Sequence, residues 1–298
     1  MNSELERDYH DMSSLASKKQ FVIYTCFVVC ILAFISGMAY WYEANTVRLT
    51  MLMYHQVTDS AEDSPAVSAE TFESHIKALI DAGYTAISFE ELRDYVVDGT
   101  PLPDQPVMIT LDDGYTNTYD SAYPILQKYN MKATVFIVGV YFGENVYKGA
   151  YYLPIEPHFG DAEAREMASS GIISIQSHSY DMHQFMPYEP DTPRLGILRR
   201  SGESREEYIE AFITDYALSA DQIESITGER PFVYSYPFGR RVRLAERLLK
   251  DMGVTVTVIT GADFCTVARD KPGSLFGLGR LNVPGDMTAD ELLDTIRY

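Results

Sequence analysis

Two adjacent carboxylates, Asp112 and Asp113, end the apolar run "VMITL" (107–111) and are followed at once by Gly114. Two neighbouring negative charges at the end of a buried strand repel each other unless a cation lies between them. A solvated turn is the simpler interpretation, since Asp and Gly are ordinary turn residues. A cation site is the alternative, and other motifs in the chain are needed to distinguish the two interpretations.

The stretch "SHSYDMH" holds two histidines, His178 and His183, five residues apart after the apolar run "IISIQ" (172–176). Two neutral imidazoles and one carboxylate form a common metal-binding set that leaves one coordination position open for water. Either histidine alone is more often structural. Together with the strand-end Asp-Asp-Gly, the pair favours a metal site.

The two aspartates would then divide the chemistry between them. If Asp113 ligates the cation, Asp112 remains free, and a divalent cation lowers the pKa of the water that it binds. Asp112 would accept the proton of that water as general base. Neighbouring side chains on a strand point to opposite faces, so this arrangement requires the backbone to turn at Asp113, which Gly114 permits.

Strand-like and helix-like runs alternate along the chain from residue 48 onward. This alternation predicts an α/β fold with a mostly parallel sheet, and seven or eight units fit a barrel better than an open sheet. The active sites of such barrels lie at the carboxyl ends of the strands. The candidate residues all lie at predicted strand ends, namely His55, Asp112, Asp113, His178 with His183 in the following loop, and the run Tyr236–Gly239.

Residues 21–42, "FVIYTCFVVCILAFISGMAYWY", carry no charge. As a helix they would measure roughly 33 Å, enough to cross a hydrocarbon core of about 30 Å. Lys18 and Lys19 on the N-terminal side predict a cytoplasmic tail (1–20), a transmembrane anchor (21–42) and an extracellular domain (43–298) at the cell membrane. The alternative is a signal peptide cleaved near Ala39, which would release the domain.

The formal charge of the chain is −19, of which residues 1–42 contribute only −1. An acidic body is repelled by phosphates, so we expect no nucleic acid partner. Cys26 and Cys30 lie inside the predicted span, which leaves Cys265 alone in the domain. We therefore expect no disulfide within the domain.

Three motifs in order, "TLDDG", "SHSYDMH" and "YPFG", resemble those of the polysaccharide deacetylase family, also called the NodB-homology domain. The resemblance covers about residues 48–297. It implies a deformed (β/α) barrel of about seven strands and metal-dependent removal of acetyl groups from N-acetylated, or in some members O-acetylated, sugars.

The resemblance also implies roles for individual residues. Asp113, His178 and His183 would hold a divalent metal, zinc first, with cobalt, nickel or manganese as alternatives, and Asp112 would be the base. The backbone N–H of Tyr236 would stabilise the tetrahedral oxyanion. The substrate's acetyl group would lie against residues of the third motif, Pro237 and Phe238.

The chain departs from the family pattern in two places. Many members carry an arginine that orients the base, where this chain has Ser235, and Arg230 and Arg280 are both open as replacements. The late histidine that serves as catalytic acid is also missing. His55 in "MLMYHQV" resembles the first-strand acid of the poly-N-acetylglucosamine deacetylase subgroup, although a buried structural histidine remains the alternative.

The resulting expectation is a membrane-anchored N-deacetylase acting on a polysaccharide that contains N-acetylglucosamine. Two alternatives stay open, an O-acetyl esterase on the same scaffold and an inactive glycan-binding module. Two further histidines have weaker cases. We expect His75 to be solvated on a polar helix and His158 to lie on the surface, with a contact to the substrate as the alternative for His158.

Overall fold

The computed structural model describes residues 2–59, 66–148, 152–184 and 194–297, with side chains from residue 19 onward. The chain divides into two compact units, Met1–Val47 and Arg48–Tyr298. The first contains helix α1 (Asn2–Asn45). Its part Lys19–Asn45 is long and apolar enough to cross a membrane, and the predicted span 21–42 lies within it.

Strands and helices alternate from Thr46 to the C-terminus. The strands are β1 (Thr46–Tyr54), β2 (Val57–Thr58), β3 (Val67–Ser68), β4 (Thr85–Ala86), β5 (Pro106–Asp113), β6 (Ala133–Ile137), β7 (Val146–Lys148), β8 (Tyr152–Pro154), β9 (Ile173–Ser177), β10 (Val233–Ser235), β11 (Val256–Val258), β12 (Cys265–Ala268), β13 (Phe276–Leu278) and β14 (Leu281–Asn282). The helices are α2 (Ala69–Asp81), α3 (Phe89–Val97), α4 (Tyr123–Tyr129), α5 (Asp161–Ser169), α6 (Arg205–Thr227), α7 (Arg243–Asp251) and α8 (Ala289–Ile296).

The main sheet has the strand order β12-β1-β5-β6-β9-β10-β11-β13. Neighbours from β1 to β13 pair in parallel, and β14 pairs in parallel with β1 on its other side. Only two residues separate β13 from β14, so the chain passes from β11 back to β1 and nearly closes the sheet into a barrel. The predicted α/β barrel is confirmed, with eight strands along its path where about seven were expected.

Local sequence accounts for the helices around this barrel. Ser88 begins α3 with a capping box, in which its hydroxyl accepts from Glu91 N–H and the Glu91 carboxylate accepts from Ser88 N–H, as the sequence predicts. Ser204 and Glu207 repeat the arrangement at α6. The strands are buried along nearly their whole length, as expected when helices cover a parallel sheet.

The expectation that His75 is solvated was wrong, because its ring is fully buried. His75 Nε2–H donates to Met287 O at 2.9 Å, and Nδ1 lies 3.1 Å from Tyr54 Oη. The residues beside His75 in the sequence are polar, but Phe72, His75 and Leu79 share one helical face. That face packs toward the barrel, so His75 is a structural residue.

The region 141–160 contains a short antiparallel hairpin, in which β7 pairs with β8. Residues 149–151, between β7 and β8 in the sequence, lie outside the described residues, as do residues 185–193.

Candidate metal and catalytic site

The two aspartates are the last residues of β5, where Asp112 pairs with Phe136 and Asp113 with Ile137 on β6. Asp113 has a φ of 73°, in the left-handed region that a residue other than glycine rarely adopts. Gly114 follows with a φ of 83°. The backbone therefore turns at Asp113, as the division of roles between the two carboxylates requires.

Asp113 and the two histidines come together at this edge of the barrel. Asp113 Oδ1 lies 3.7 Å from His178 Nε2 and 3.6 Å from His183 Nε2. One possible ligand atom from each residue lies within 4.8 Å of the others. Within the described part of the chain, Asp113 Oδ1 is buried without a hydrogen-bond donor. An acceptor of this kind, facing two imidazoles, is the environment that a divalent cation fits.

The tautomer of His178 also suits a metal ligand. Its Nδ1 lies 2.9 Å from the carbonyl oxygen of Ser235, which only accepts, so Nδ1 carries the proton. The lone pair of Nε2 then faces the two carboxylates, 3.7 Å from both Asp113 Oδ1 and Asp112 Oδ2. A backbone acceptor on the other ring nitrogen is the arrangement by which proteins orient metal-binding histidines. Burial lowers the pKa of His178 to about 4, against the opposing charge of Asp112. The imidazole is therefore neutral at physiological pH, as metal binding needs.

Asp112 is held by Arg280, whose side chain is fully buried. Arg280 Nη1 and Nη2 donate to Asp112 Oδ1 and Oδ2 at 2.6 and 2.7 Å, and Nη2 also donates to Ser235 Oγ at 2.9 Å. Burial alone would raise the pKa of Asp112, but the Arg280 guanidinium outweighs it and holds the pKa well below its usual range. Asp112 is thus ionised and fixed in orientation.

The structure distinguishes the two arginines that the sequence left open. Arg230 Nη1 lies 2.9 Å from Asp221 and 2.8 Å from Glu224, and all three side chains are exposed. Arg280 is the one that contacts Asp112. It reaches Asp112 from the segment between β13 and β14 that nearly closes the barrel.

His55 directly follows β1 and is half-buried. Its ring lies close enough to contribute, after burial and after the stronger effects of Arg280, His178 and His183, to the electrostatics that set the pKa of Asp112 and Asp113. The structure therefore brings His55 to the same edge of the barrel as the two carboxylates.

The expected role of the Tyr236 backbone was wrong. The N–H of Tyr236 donates to Val258 O at 3.1 Å and so continues the ladder between β10 and β11. The N–H of Phe238 has no acceptor among the described residues. Phe238 has a φ of 55°, and its ring centroid lies 4.3 Å from that of His183. The Phe238 amide is the better candidate for an oxyanion donor.

Pro237 and Phe238 differ in exposure. Pro237 is buried, whereas 43% of Phe238 is exposed beside the three candidate ligands. A half-exposed aromatic ring at this place offers an apolar face to a substrate.

A cavity of about 110 Å³ opens beside the candidate ligands and is lined by Asp113, Tyr115, Tyr141, Ile155, Glu156, His158 and His183. The expectation that His158 lies on the surface was wrong. Its ring is buried, with centroids 4.8 Å from Tyr115 and 5.2 Å from Tyr141. Burial lowers its pKa to about 4. No motif marked His158, because it is placed there by backbone contacts distant in sequence, an isolated bridge to Tyr115 and a hydrogen bond from its N–H to Glu144 O at 3.0 Å.

Comparison with known proteins agrees with this geometry. Residues 99–257 match the family model "Polysaccharide deacetylase". YxkH, a polysaccharide deacetylase homologue of Bacillus subtilis, is 30% identical over 212 residues, which cover 70% of this chain and 64% of YxkH. The poly-beta-1,6-N-acetyl-D-glucosamine N-deacetylase of Escherichia coli K12 is 25% identical over 222 residues, 68% of this chain and 32% of that enzyme.

Among solved structures, a de-N-acetylase from Aggregatibacter actinomycetemcomitans superposes with a TM-score of 0.69 at 25% identity, covering 84% of this chain and all of that one. The chain spans less than two thirds of the two curated relatives, but the family model matches more than half of the chain. The chain belongs to the polysaccharide deacetylase family.

Proposed function

We propose that the chain is a metal-dependent hydrolase that removes N-acetyl groups from a polysaccharide containing N-acetylglucosamine and releases acetate. The observation that carries the proposal is the cluster at the end of β5. Asp113 faces two imidazoles there, while both carboxylate oxygens of its neighbour Asp112 bind Arg280. In a member of this family, that difference supports giving Asp113 to the metal and Asp112 to proton transfer.

Asp113, His178 and His183 hold the metal in this proposal. Zinc suits one carboxylate and two neutral imidazoles best, and cobalt, nickel or manganese are accepted by similar sets. A divalent cation in this place lowers the pKa of water and polarises a carbonyl oxygen. His178 keeps its Nδ1 proton on Ser235 O, so that Nε2 remains available as a ligand.

Asp112 acts as general base. It removes a proton from the attacking water while the water oxygen forms a bond to the acetyl carbon. Arg280 keeps the carboxylate ionised and directed, because it binds both carboxylate oxygens. The N–H of Phe238 donates to the carbonyl oxygen as negative charge develops on it.

His55 acts as general acid. It gives a proton to the sugar nitrogen as the bond between carbon and nitrogen breaks, so that acetate and a free amine leave. Pro237 and Phe238 border the acetyl group, with the exposed face of Phe238 toward the sugar. The name of the Escherichia coli relative supports a polymer of N-acetylglucosamine as the substrate class, and that of the Aggregatibacter de-N-acetylase supports removal of N-acetyl groups.

The N-terminal helix is the membrane anchor in this proposal, with residues 1–20 in the cytoplasm, 21–42 in the bilayer and 43–298 outside. Its length, apolar composition and flanking lysines support this topology. Cleavage near Ala39 is the alternative and would yield a shorter mature chain. Mass measurement of the protein purified from its membrane separates the two.

The experiment that tests the activity measures acetate release by the zinc-loaded chain from N-acetylglucosamine oligomers, with O-acetylated xylan oligomers in parallel. We expect acetate from the N-acetylated oligomers, and none once a chelator has removed the metal. Acetate from the xylan oligomers alone would identify an O-acetyl esterase. Glycan binding without acetate from either substrate would identify an inactive binding module.

A further inference from the structure

The loop between His178 and His183 is tied to helix α6 by a carboxylate inside that helix. Tyr180 N–H donates to Asp215 Oδ2 at 2.9 Å, and Asp181 N–H donates to Asp215 Oδ1 at 2.7 Å. Asp215 is only 8% exposed. Each oxygen of this carboxylate therefore binds a backbone N–H of the segment that joins the two candidate ligands.

A carboxylate at this place is costly, because α6 packs an aromatic face around it. Tyr208, Phe212 and Tyr216 are buried on the same helix. Burial raises the pKa of Asp215 to about 6, although the two N–H bonds act to lower it. Burying a charge is unfavourable unless hydrogen bonds compensate it. The hydrogen bonds to the loop supply this compensation.

Two more polar side chains continue from Asp215 along one face of α6. Ser219 Oγ lies 2.8 Å from Ser177 Oγ, one residue before His178. Gln222 Nε2 donates to Gly139 O at 3.3 Å, just after β6. Spacings of four and three residues place these side chains on one helical face. This polar stripe contacts the edge of the barrel where the candidate ligands lie.

The loop that Asp215 binds has a strained backbone. Ser179 has a φ of 81°, in the left-handed region that is unfavourable for a residue other than glycine. Its hydroxyl accepts from Met182 N–H at 3.2 Å. A conformation of this kind persists only when the surroundings hold it. Asp215 provides two hydrogen bonds that do so.

We propose that Asp215 is a positioning residue of the metal centre, which fixes the separation of His178 and His183 through the loop without touching the metal. The inference rests on the metal site of the proposed function. Partners that orient metal ligands typically change metal affinity by about 10–100-fold when they are replaced. Asp215 acts one step further away, on the backbone that carries the ligands.

The test replaces Asp215 by asparagine in the full-length chain purified in detergent. Asparagine keeps the shape but turns an N–H₂ group toward one of the two N–H donors, so one hydrogen bond is lost. We expect the zinc Kd, measured by competition with a chromophoric chelator, to rise about 10–100-fold. The visible absorption bands of the cobalt-loaded protein should shift, because the ligand geometry changes.

The matched control is Asp221→Asn on the same helix, where Asp221 is exposed and pairs with Arg230. We expect it to leave both the zinc Kd and the cobalt spectrum unchanged. Asp215→Ser is the second variant, since it buries no charge and still offers one acceptor. It keeps the test valid if the asparagine variant does not fold.

The outcomes separate this inference from the proposed function. If folded Asp215 variants bind zinc as tightly as the wild type with the same cobalt spectrum, Asp215 is a structural residue and the inference is wrong. If the wild-type chain binds zinc no better than His178→Ala, the metal site itself is refuted, and the inference falls with it.

Discussion

The two ends of the barrel hold cavities of very different size and character. At the amino ends of β6, β9 and β10 a cavity of about 390 Å³ is lined by Lys132, Gln176 and Arg230 among others. At the carboxyl ends the cavity beside Asp113 measures about 110 Å³. The charged residues of the larger one form exposed ion pairs, such as Lys132 with Glu91 at 2.8 Å. Pairs of that kind contribute little and mark no chemistry.

The two ends also differ in where strained backbone is buried. Residues other than glycine have left-handed φ values at both ends: Asp113 at 73°, Ser179 at 81° and Phe238 at 55° follow strands, whereas Gln105 at 48° and Asn130 at 51° precede β5 and β6. Asp113 and Ser179 are buried, while Gln105 and Asn130 are exposed. Strain together with buried charge is typical of functional sites. Cavity volume alone would have pointed to the wrong end.

The largest effect should come from removing a ligand. We expect His178→Ala to abolish both zinc binding and acetate release, because one of three ligands is lost. His75→Gln is the control from the core, since His75 is equally buried outside the site. It should lower stability and leave the bound zinc unchanged, as metal analysis of the two purified variants would show. Equal zinc in both variants would contradict the assigned site.

The second largest loss of activity should come from replacing the proposed base, Asp112. We expect Asp112→Asn to lower kcat by about 10²–10⁴-fold while the protein keeps its zinc, because the proton acceptor is gone and the three ligands remain. The exposed Asp120→Asn is the matched control and should keep full activity. Acetate release and bound zinc are measured on the same samples. Full activity in Asp112→Asn would refute the assignment of the base.

Replacing Arg280 at the candidate site and Arg230 beside the larger cavity compares the two ends of the barrel by their effect on the free energy of unfolding. Arg280→Met leaves Asp112 buried without its partner, and we expect this to lower the free energy of unfolding by about 3–5 kcal/mol. Arg230→Met removes an exposed pair and should cost less than about 1 kcal/mol. Denaturant unfolding of both variants measures the difference. Similar values would mean that the Asp112–Arg280 pair is not buried as described.

The smallest loss of activity should come from replacing the proposed acid, His55. We expect His55→Gln to lower kcat by about 10²-fold with zinc retained, because proton delivery to the leaving amine is slowed. Acetate release and bound zinc of this variant are measured on the same samples. An unchanged kcat in His55→Gln would indicate that His55 is structural.

Much of this arrangement was predictable because it is local in the sequence. The doublet of Asp112 and Asp113 ends an apolar strand, and the two histidines follow another, so their common edge follows from the parallel sheet. The barrel followed from the alternation of strands and helices. The structure brings Asp113, His178 and His183 together as expected, whereas their roles remain predictions.

Other features depend on pairing that no local pattern reveals. Arg280 lies 168 residues from Asp112 and reaches it only because β13 and β14 close the barrel. The Tyr236 amide was misassigned because the ladder to β11 extends one residue beyond β10. Asp215 had one available signal, its position four and seven residues before Ser219 and Gln222 on a helix whose other buried residues are mostly aromatic or aliphatic.

The most direct measurement is anomalous diffraction at the zinc edge from crystals of the zinc-loaded protein. We predict one strong peak about 2.0–2.2 Å from Asp113 Oδ1, His178 Nε2 and His183 Nε2, with Asp112 still bound to Arg280. A peak elsewhere, or Asp112 among the ligands, would contradict the division of roles between the two aspartates.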